Sequence, residues 1–440
     1  MRRQFSNSIY GLLDYAAYPI GMLFVAPFIL VNLGVAQYGV WTVTNAVVNI
    51  GAIVASGFGD ANVQKVANQR GAGRAEAVLR VVRASLGIHV LLGIVTAIAT
   101  WCLAPVLSYH MALQDETLRE TCLYCVRIAS ILTAIRAIET VCISTQRAFE
   151  RYGAAVGISI AARLLSLAAA AILASREQSV AKIMGATAAI SAVALVAQII
   201  GLQRLMGRRN ITPSYDGSVS KDLLRFGAFT WVLAASGVVF SQADRLIGGT
   251  SLGATAVVSY ALCAQLSQPV YGLTAAGLHF LFPYIACRRT NVDGVALKKK
   301  IMLAIFANII LVLIGAGLLL AASDRLLRLI ATEELARMSA PLLPPVLAGS
   351  TLLALSVAGC YAMIALGRVR TIALLNVTAC AAIVVFTGGF LYDFGIMAIA
   401  GGRIAFALIV LCIYIPLASE LRGQSSRLEH FASSEAVEGV

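Results

Sequence analysis

The chain has 440 residues, of which 59% are hydrophobic and 12% charged, with a mean hydropathy of +0.85 and a formal net charge of +13. An ordinary water-soluble domain is roughly one-quarter charged, so this composition excludes a soluble globular fold and places most of the mass in lipid. The positive charge points to a membrane surface rather than nucleic acid, because the Lys and Arg residues border apolar segments instead of forming a compact basic domain with interleaved aromatics.

Apolar stretches near the ~20 residues that cross a hydrocarbon core predict about twelve transmembrane helices. They fall at 9–32, 38–59, 82–104, 121–146, 153–174, 179–202, 223–249, 254–285, 300–322, 341–366, 371–391 and 394–418. The first follows Met1-Arg2-Arg3 in the manner of a signal peptide. It is too long for one, carries Asp14 and runs directly into a second span, so it is expected to be retained. Along it, Tyr10, Asp14 and Tyr18 recur at helical spacing, and the second span carries Thr42, Asn45, Asn49 and Ser56. The connection 60–81 is basic, with Lys65, Arg70, Arg74 and Arg80.

The fourth span is the most polar. Thr133, Arg136, Thr140, Ser144 and Arg147 follow one another at steps of three and four, which puts them on one helical face. Glu139 lies one turn from Arg136 and can neutralise it. Cys122 and Cys125 have CxxC spacing, but no second pair or nearby His completes a metal site, and core packing is the expected role. The fifth span contributes Ser159, Arg163 and Ser166, with no acidic residue one turn from Arg163. Residues 204–222 are basic and rich in turn formers, including Pro213 and Gly217, and are expected to link an N-terminal lobe, 1–203, to a C-terminal lobe, 223–419, with a tail at 420–440. In the second half, Asp244 and Arg245 are expected to neutralise one another or cap a helix, and Arg403 to lie near the outer boundary, these three with Glu139 being candidates for charge pairing or gating.

Basic residues collect in the even-numbered connections, so those loops and both termini are expected on the cytoplasmic side. A faint repeat relates Leu33-Gly34 and Trp41 to Leu252-Gly253 and Tyr260, an offset of 219 positions and nearly half the chain. Six spans per half preserve orientation, so the lobes are expected to be parallel repeats. No connection is long enough for a catalytic domain, the four histidines are scattered, and no Walker A sequence is present. The chain is therefore read as a transporter, with no enzyme activity, cofactor or metal expected.

Ionisable groups within a membrane cost on the order of 2.5–3.5 kcal/mol each on insertion scales and usually face a wet interior. Arg136, Arg163, Asp14, Asn45, Asn49 and Thr140 are the candidate cargo-binding residues. An interior richer in Arg than in carboxylates suits a phosphate-bearing cargo, because guanidinium stays charged and matches phosphate oxygens two at a time. Asp14 is the candidate for a cation-coupled exporter, the competing reading. A major-facilitator transporter fits poorly, since Gly57-Phe-Gly-Asp60-Ala-Asn-Val-Gln-Lys65 departs from that family's signature after span two. A membrane glycosyl polymerase is a third reading, of a different class.

Ser8-Ile-Tyr-Gly-Leu-Leu-Asp-Tyr15, Leu33-Gly-Val-Ala-Gln-Tyr-Gly-Val-Trp41, Gly57-Phe-Gly-Asp60 and Ala243-Asp-Arg-Leu-Ile-Gly-Gly249 carry a further signal. In these segments and in its layout the chain resembles the polysaccharide repeat-unit flippases of the multidrug/oligosaccharidyl-lipid/polysaccharide exporter superfamily. The resemblance implies a MATE-like helical fold and a location in the bacterial inner membrane. The cargo it implies is an undecaprenyl-pyrophosphate-linked oligosaccharide turned to the periplasmic leaflet for O-antigen, capsule or exopolysaccharide assembly. Membrane lipids and polysaccharide polymerase machinery are the implied partners.

Overall fold

The computed structural model describes residues 2–422 except 112–114, 178, 208, 210, 253, 289–293 and 331–332. Among the described residues the regular structure is entirely helical, and eleven segments are long and apolar enough to cross a membrane. The chain divides into two compact units, Met1–Trp231 and Val232–Val440.

The first unit contains α1 (Arg2–Gly71), α2 (Ala75–Met111), α3 (Glu116–Ala148), α4 (Tyr152–Glu177), α5 (Val180–Leu205) and the start of α6 (Gly217–Leu252). α1 is two spans joined at a kink, where Gly34 has φ 76° and ψ 166°. A Cβ there would meet nothing within 4 Å, so the backbone conformation and not crowding requires glycine. The basic connection expected at 60–81 is mostly helix: α1 continues to Gly71, α2 starts at Ala75, and Gly73 turns the chain at φ 71°.

The helix missing from the count of eleven is α3. Its 33 residues reach about 50 Å, ample for a crossing, yet they include Arg119, Glu120, Arg127, Arg136, Glu139 and Arg147. α3 can afford this polarity because it packs among α1, α2, α4 and α5. Gly51 and Gly59 let α1 approach it so closely that a Cβ would come within 2.7 Å of Thr133 and 2.6 Å of Thr140 respectively. Asn62 of α1 donates to Ser144 Oγ and Thr145 Oγ1, both at 2.8 Å, and Gln146 donates to Gln198 of α5 at 2.8 Å. Interhelical hydrogen bonds of this kind contribute about 0.6 kcal/mol each in a bilayer. The polar stripe read from the sequence thus divides in two: Thr133 and Ser144 join helices, whereas Arg136 and Thr140 face a cavity.

The end of the unit is clamped by Arg70. It donates to the Ala148 carbonyl at 2.7 Å and pairs with Glu150 at 3.1 Å, a residue held at φ 58° in the turn between α3 and α4. The entry to α6 is capped by Asp216, whose carboxyl is held below its usual pKa by the Val219 amide and the Ser218 hydroxyl. Gly57 of α1 then receives α6 directly: its carbonyl accepts from Thr230 Oγ1 at 2.6 Å, and a Cβ there would lie 2.8 Å from the Trp231 nitrogen.

The second unit holds the rest of α6, then α7 (Ala254–Leu278), α8 (Leu281–Arg288), α9 (Gly294–Ala321), α10 (Ser323–Ile330), α11 (Glu333–Ser339), α12 (Leu343–Ala365), α13 (Val369–Phe394) and α14 (Ile396–Leu411). α12 lies at its centre against α7, α9 and α14. In packing order it matches α3, which lies against α1, α2 and α5. Leu303, Phe306, Leu311 and Ile314 of α9 are exposed, as side chains turned to lipid would be. The repeat partner Gly253 lies outside the described residues.

Candidate functional site

A cavity of about 460 Å³ opens within the first unit, walled by α1, α3 and α4 with Thr187 from α5. Six residues singled out from the sequence line it together: Asp14, Asn45, Asn49, Arg136, Thr140 and Arg163. Glu139 lines it as well.

The charges are organised around two carboxylates. Arg136 Nη1 donates to Glu139 Oε2 at 2.7 Å, and Glu139 Oε1 accepts from Ser159 Oγ of α4 at 3.0 Å. The pairing across one helical turn agrees with the sequence spacing; the Ser159 contact depends on α4 packing against α3. Asp14 of α1 is shared by two arginines. Its Oδ1 accepts from Arg163 Nη1 at 3.0 Å and its Oδ2 from Arg147 Nη2 at 2.8 Å. Arg163, which has no acid on its own helix, therefore finds one on α1. Arg147, the last member of the polar stripe read from the sequence, belongs to the same cluster.

Arg136, Arg147 and Arg163 against Asp14 and Glu139 leave the ion-pair cluster one positive charge in excess, with Arg147 behind the cavity lining and Arg136 and Arg163 on it. Asp14 at 16% side-chain exposure and Glu139 at 5% are the sheltered members, while the arginines at 23–30% keep part of their guanidinium edges open. Guanidinium has five N–H donors and these pairs occupy few of them, so the cluster presents donors to an anion.

The neutral candidates play smaller parts. Asn45 Nδ2 donates to the Trp41 carbonyl at 2.8 Å and Thr140 Oγ1 to the Arg136 carbonyl at 2.8 Å, leaving their oxygens on the cavity wall. Asn49 is exposed. Tyr15, Tyr18 and Trp41 complete an aromatic portion of the lining. From the sequence Trp41 stood out only as a repeat position and within a family segment, Tyr15 only within a family segment, and neither was read as lining a cavity.

Arg403 is 3% exposed, with its guanidinium 4.1 Å from the Phe240 ring centroid and Nη1 donating to the Phe240 carbonyl at 3.3 Å. Gly349 makes room, since a Cβ there would lie 3.1 Å from Arg403 Cβ. Its observed contacts tie α6 to α14. The side chains of Asp244 and Arg245 lie outside the described residues.

A family model described as "Polysaccharide biosynthesis protein" matches residues 33–340, well over half of the chain. No curated protein matches the chain in sequence. Among solved structures, MATE in complex with MaL6 is similar at TM-score 0.82 and 15% identity, covering 96% of this chain and 97% of that one. The outward-facing conformation of a multidrug resistance MATE family transporter of the MOP superfamily is similar at TM-score 0.82 and 14% identity, with 96% of each chain covered. A MOP superfamily transporter from Pyrococcus furiosus is similar at TM-score 0.78 and 15% identity, again with 96% of each covered. At such identities the likeness concerns the fold. The chain spans the membrane many times in the fold of the MATE transporters and belongs to the polysaccharide biosynthesis protein family.

Proposed function

We propose that the protein is a flippase that moves an undecaprenyl-pyrophosphate-linked oligosaccharide from the cytoplasmic to the periplasmic leaflet of a bacterial inner membrane by alternating access, supplying the polymerase machinery of a surface polysaccharide. The single observation that carries this reading is the arginine-lined cavity. Both of its carboxylates are already bonded to arginines, while Arg136 and Arg163 keep guanidinium donors on the cavity wall, so what the cavity offers a cargo is hydrogen-bond donors for an anion. A diphosphate offers several oxygens to guanidinium donors at once. The cavity volume of about 460 Å³ suits a headgroup, with the lipid tail left in the bilayer.

The family description ties the chain to polysaccharide synthesis, and its fold is one used for transport. One structural neighbour of that fold is described as having a binding pocket of reverse polarity that suggests a different function. A cation-coupled exporter is less well supported here, because Asp14 is engaged by two arginines.

The test is a strain lacking the protein, analysed for lipid-linked oligosaccharide by leaflet. The expected result is accumulation of chemically complete repeat units on the cytoplasmic side, with export restored by the wild-type chain. Accumulation of complete units on the periplasmic side would assign the defect to a later step, and a covalent change in the sugar-lipid made by the purified protein would assign it to an enzyme.

A further inference from the structure

A second cavity of the first unit, about 660 Å³ in volume, opens between α4 and α5 where α4 begins and α5 ends. Arg151 and Arg204 line it, and both are exposed. Neither guanidinium has a protein partner among the described residues, whereas Arg209, five positions after Arg204, is engaged with Glu76. The walls between them are apolar and open. A Cβ at Gly157 would meet nothing within 4 Å, Ala154 and Ile200 are exposed, and the floor includes the buried Gln146, already bonded to Gln198.

This groove lies on a different face of α4 from the cargo cavity. Gly157 and Arg163 are six residues apart, about 120° around the helix. Two cations without partners above an apolar trough, on the outward face of a membrane helix pair, match the division of a phospholipid into phosphate and acyl chain. Arginines placed only for solubility would need no cavity between them, and a soluble anion would need no apolar walls.

We propose that the groove between α4 and α5 binds an anionic glycerophospholipid of the surrounding leaflet, its phosphate held by Arg151 and Arg204 and one acyl chain lying along Gly157 and Ile200. Such a lipid joins the two helices that carry Arg163 and Thr187 into the cargo cavity. The assignment rests on the chain spanning a membrane and is independent of what the cargo is.

Native mass spectrometry of the full-length, delipidated protein, titrated with phosphatidylglycerol or phosphatidylcholine, tests it. Phosphatidylglycerol is expected to bind about ten-fold more tightly, worth about 1.4 kcal/mol. Arg151→Gln with Arg204→Gln is expected to abolish that preference, and Gly157→Leu to weaken both lipids by filling the trough. Arg176→Gln removes an exposed cation from the opposite end of α4 and is expected to change nothing. Equal binding of the two lipids by the wild type, or a preference that survives the double substitution, would overturn the proposal. Complete displacement by inorganic phosphate would overturn it as well, by making this a soluble-anion site. Loss of lipid binding with transport intact would leave the cargo reading untouched, and the reverse would leave this one untouched.

Discussion

Asp14 and Arg163, 149 positions apart in the chain, meet at 3.0 Å and join the first span to the fifth. The same carboxylate holds Arg147 at 2.8 Å, so three helices converge on one acidic side chain. Removing its charge strands two partly buried cations, and restoring balance by removing one of them relieves the strain.

Asp14→Asn is therefore expected to lower stability by about 1–3 kcal/mol, the cost of leaving buried polar partners unmatched. The double variant Asp14→Asn with Arg163→Gln should recover part of that loss. Thermal unfolding of the wild type, both single variants and the double variant in one detergent gives the coupling directly. Strictly additive losses would mean that the contact contributes nothing.

Arg136→Gln should weaken binding of a pyrophosphate-bearing lipid by about ten- to a hundred-fold, corresponding to the ~1.5–3 kcal/mol of a hydrogen bond to a charged group. Arg136→Lys should restore binding in part, since it returns the charge without the planar fork. The measurement is binding by purified protein at matched yield. A Gln variant with wild-type affinity removes Arg136 from the cargo site.

Gly57→Ala is expected to cost about 1–3 kcal/mol, because the new methyl would sit 2.8 Å from the Trp231 backbone nitrogen and force α1 from α6. Gly157→Ala should be tolerated, as its Cβ enters open space. Comparing membrane abundance and melting temperature of the two variants separates crowding from helix propensity. Equal effects would show that close approach at Gly57 is not limiting.

Topology follows from the basic connections. An epitope at Ser214 should be protected in intact cells and one at Glu116 accessible from outside, because these positions flank α6 and α3 at ends expected on opposite faces. A reversal at either position would overturn the orientation.

Much of the site was legible before folding because a charge in lipid needs a reason. Arg136, Glu139, Thr140 and Arg163 stood out for their cost, and helical spacing alone placed Glu139 within reach of Arg136. What was not legible was partnership across helices. Arg163 read as unaccompanied, and Arg147 only as the end of a polar stripe, because Asp14 is far away in sequence. The contact between Arg403 and Phe240 was not legible either, because the two lie 163 positions apart.

The amino-acid sequence by itself determined that this is a many-spanning helical membrane protein with an arginine-rich interior, because hydropathy and the period of the helix are local properties and each span satisfies its own backbone hydrogen bonds. Tertiary structure decided which charges neutralise one another and which remain to meet a ligand. It also decided that a helix as polar as α3 can lie in the membrane, since its cost is offset only by the side chains that α1, α4 and α5 bring to it. Those meetings depend on distances between segments far apart in the chain, and residue order alone does not specify them.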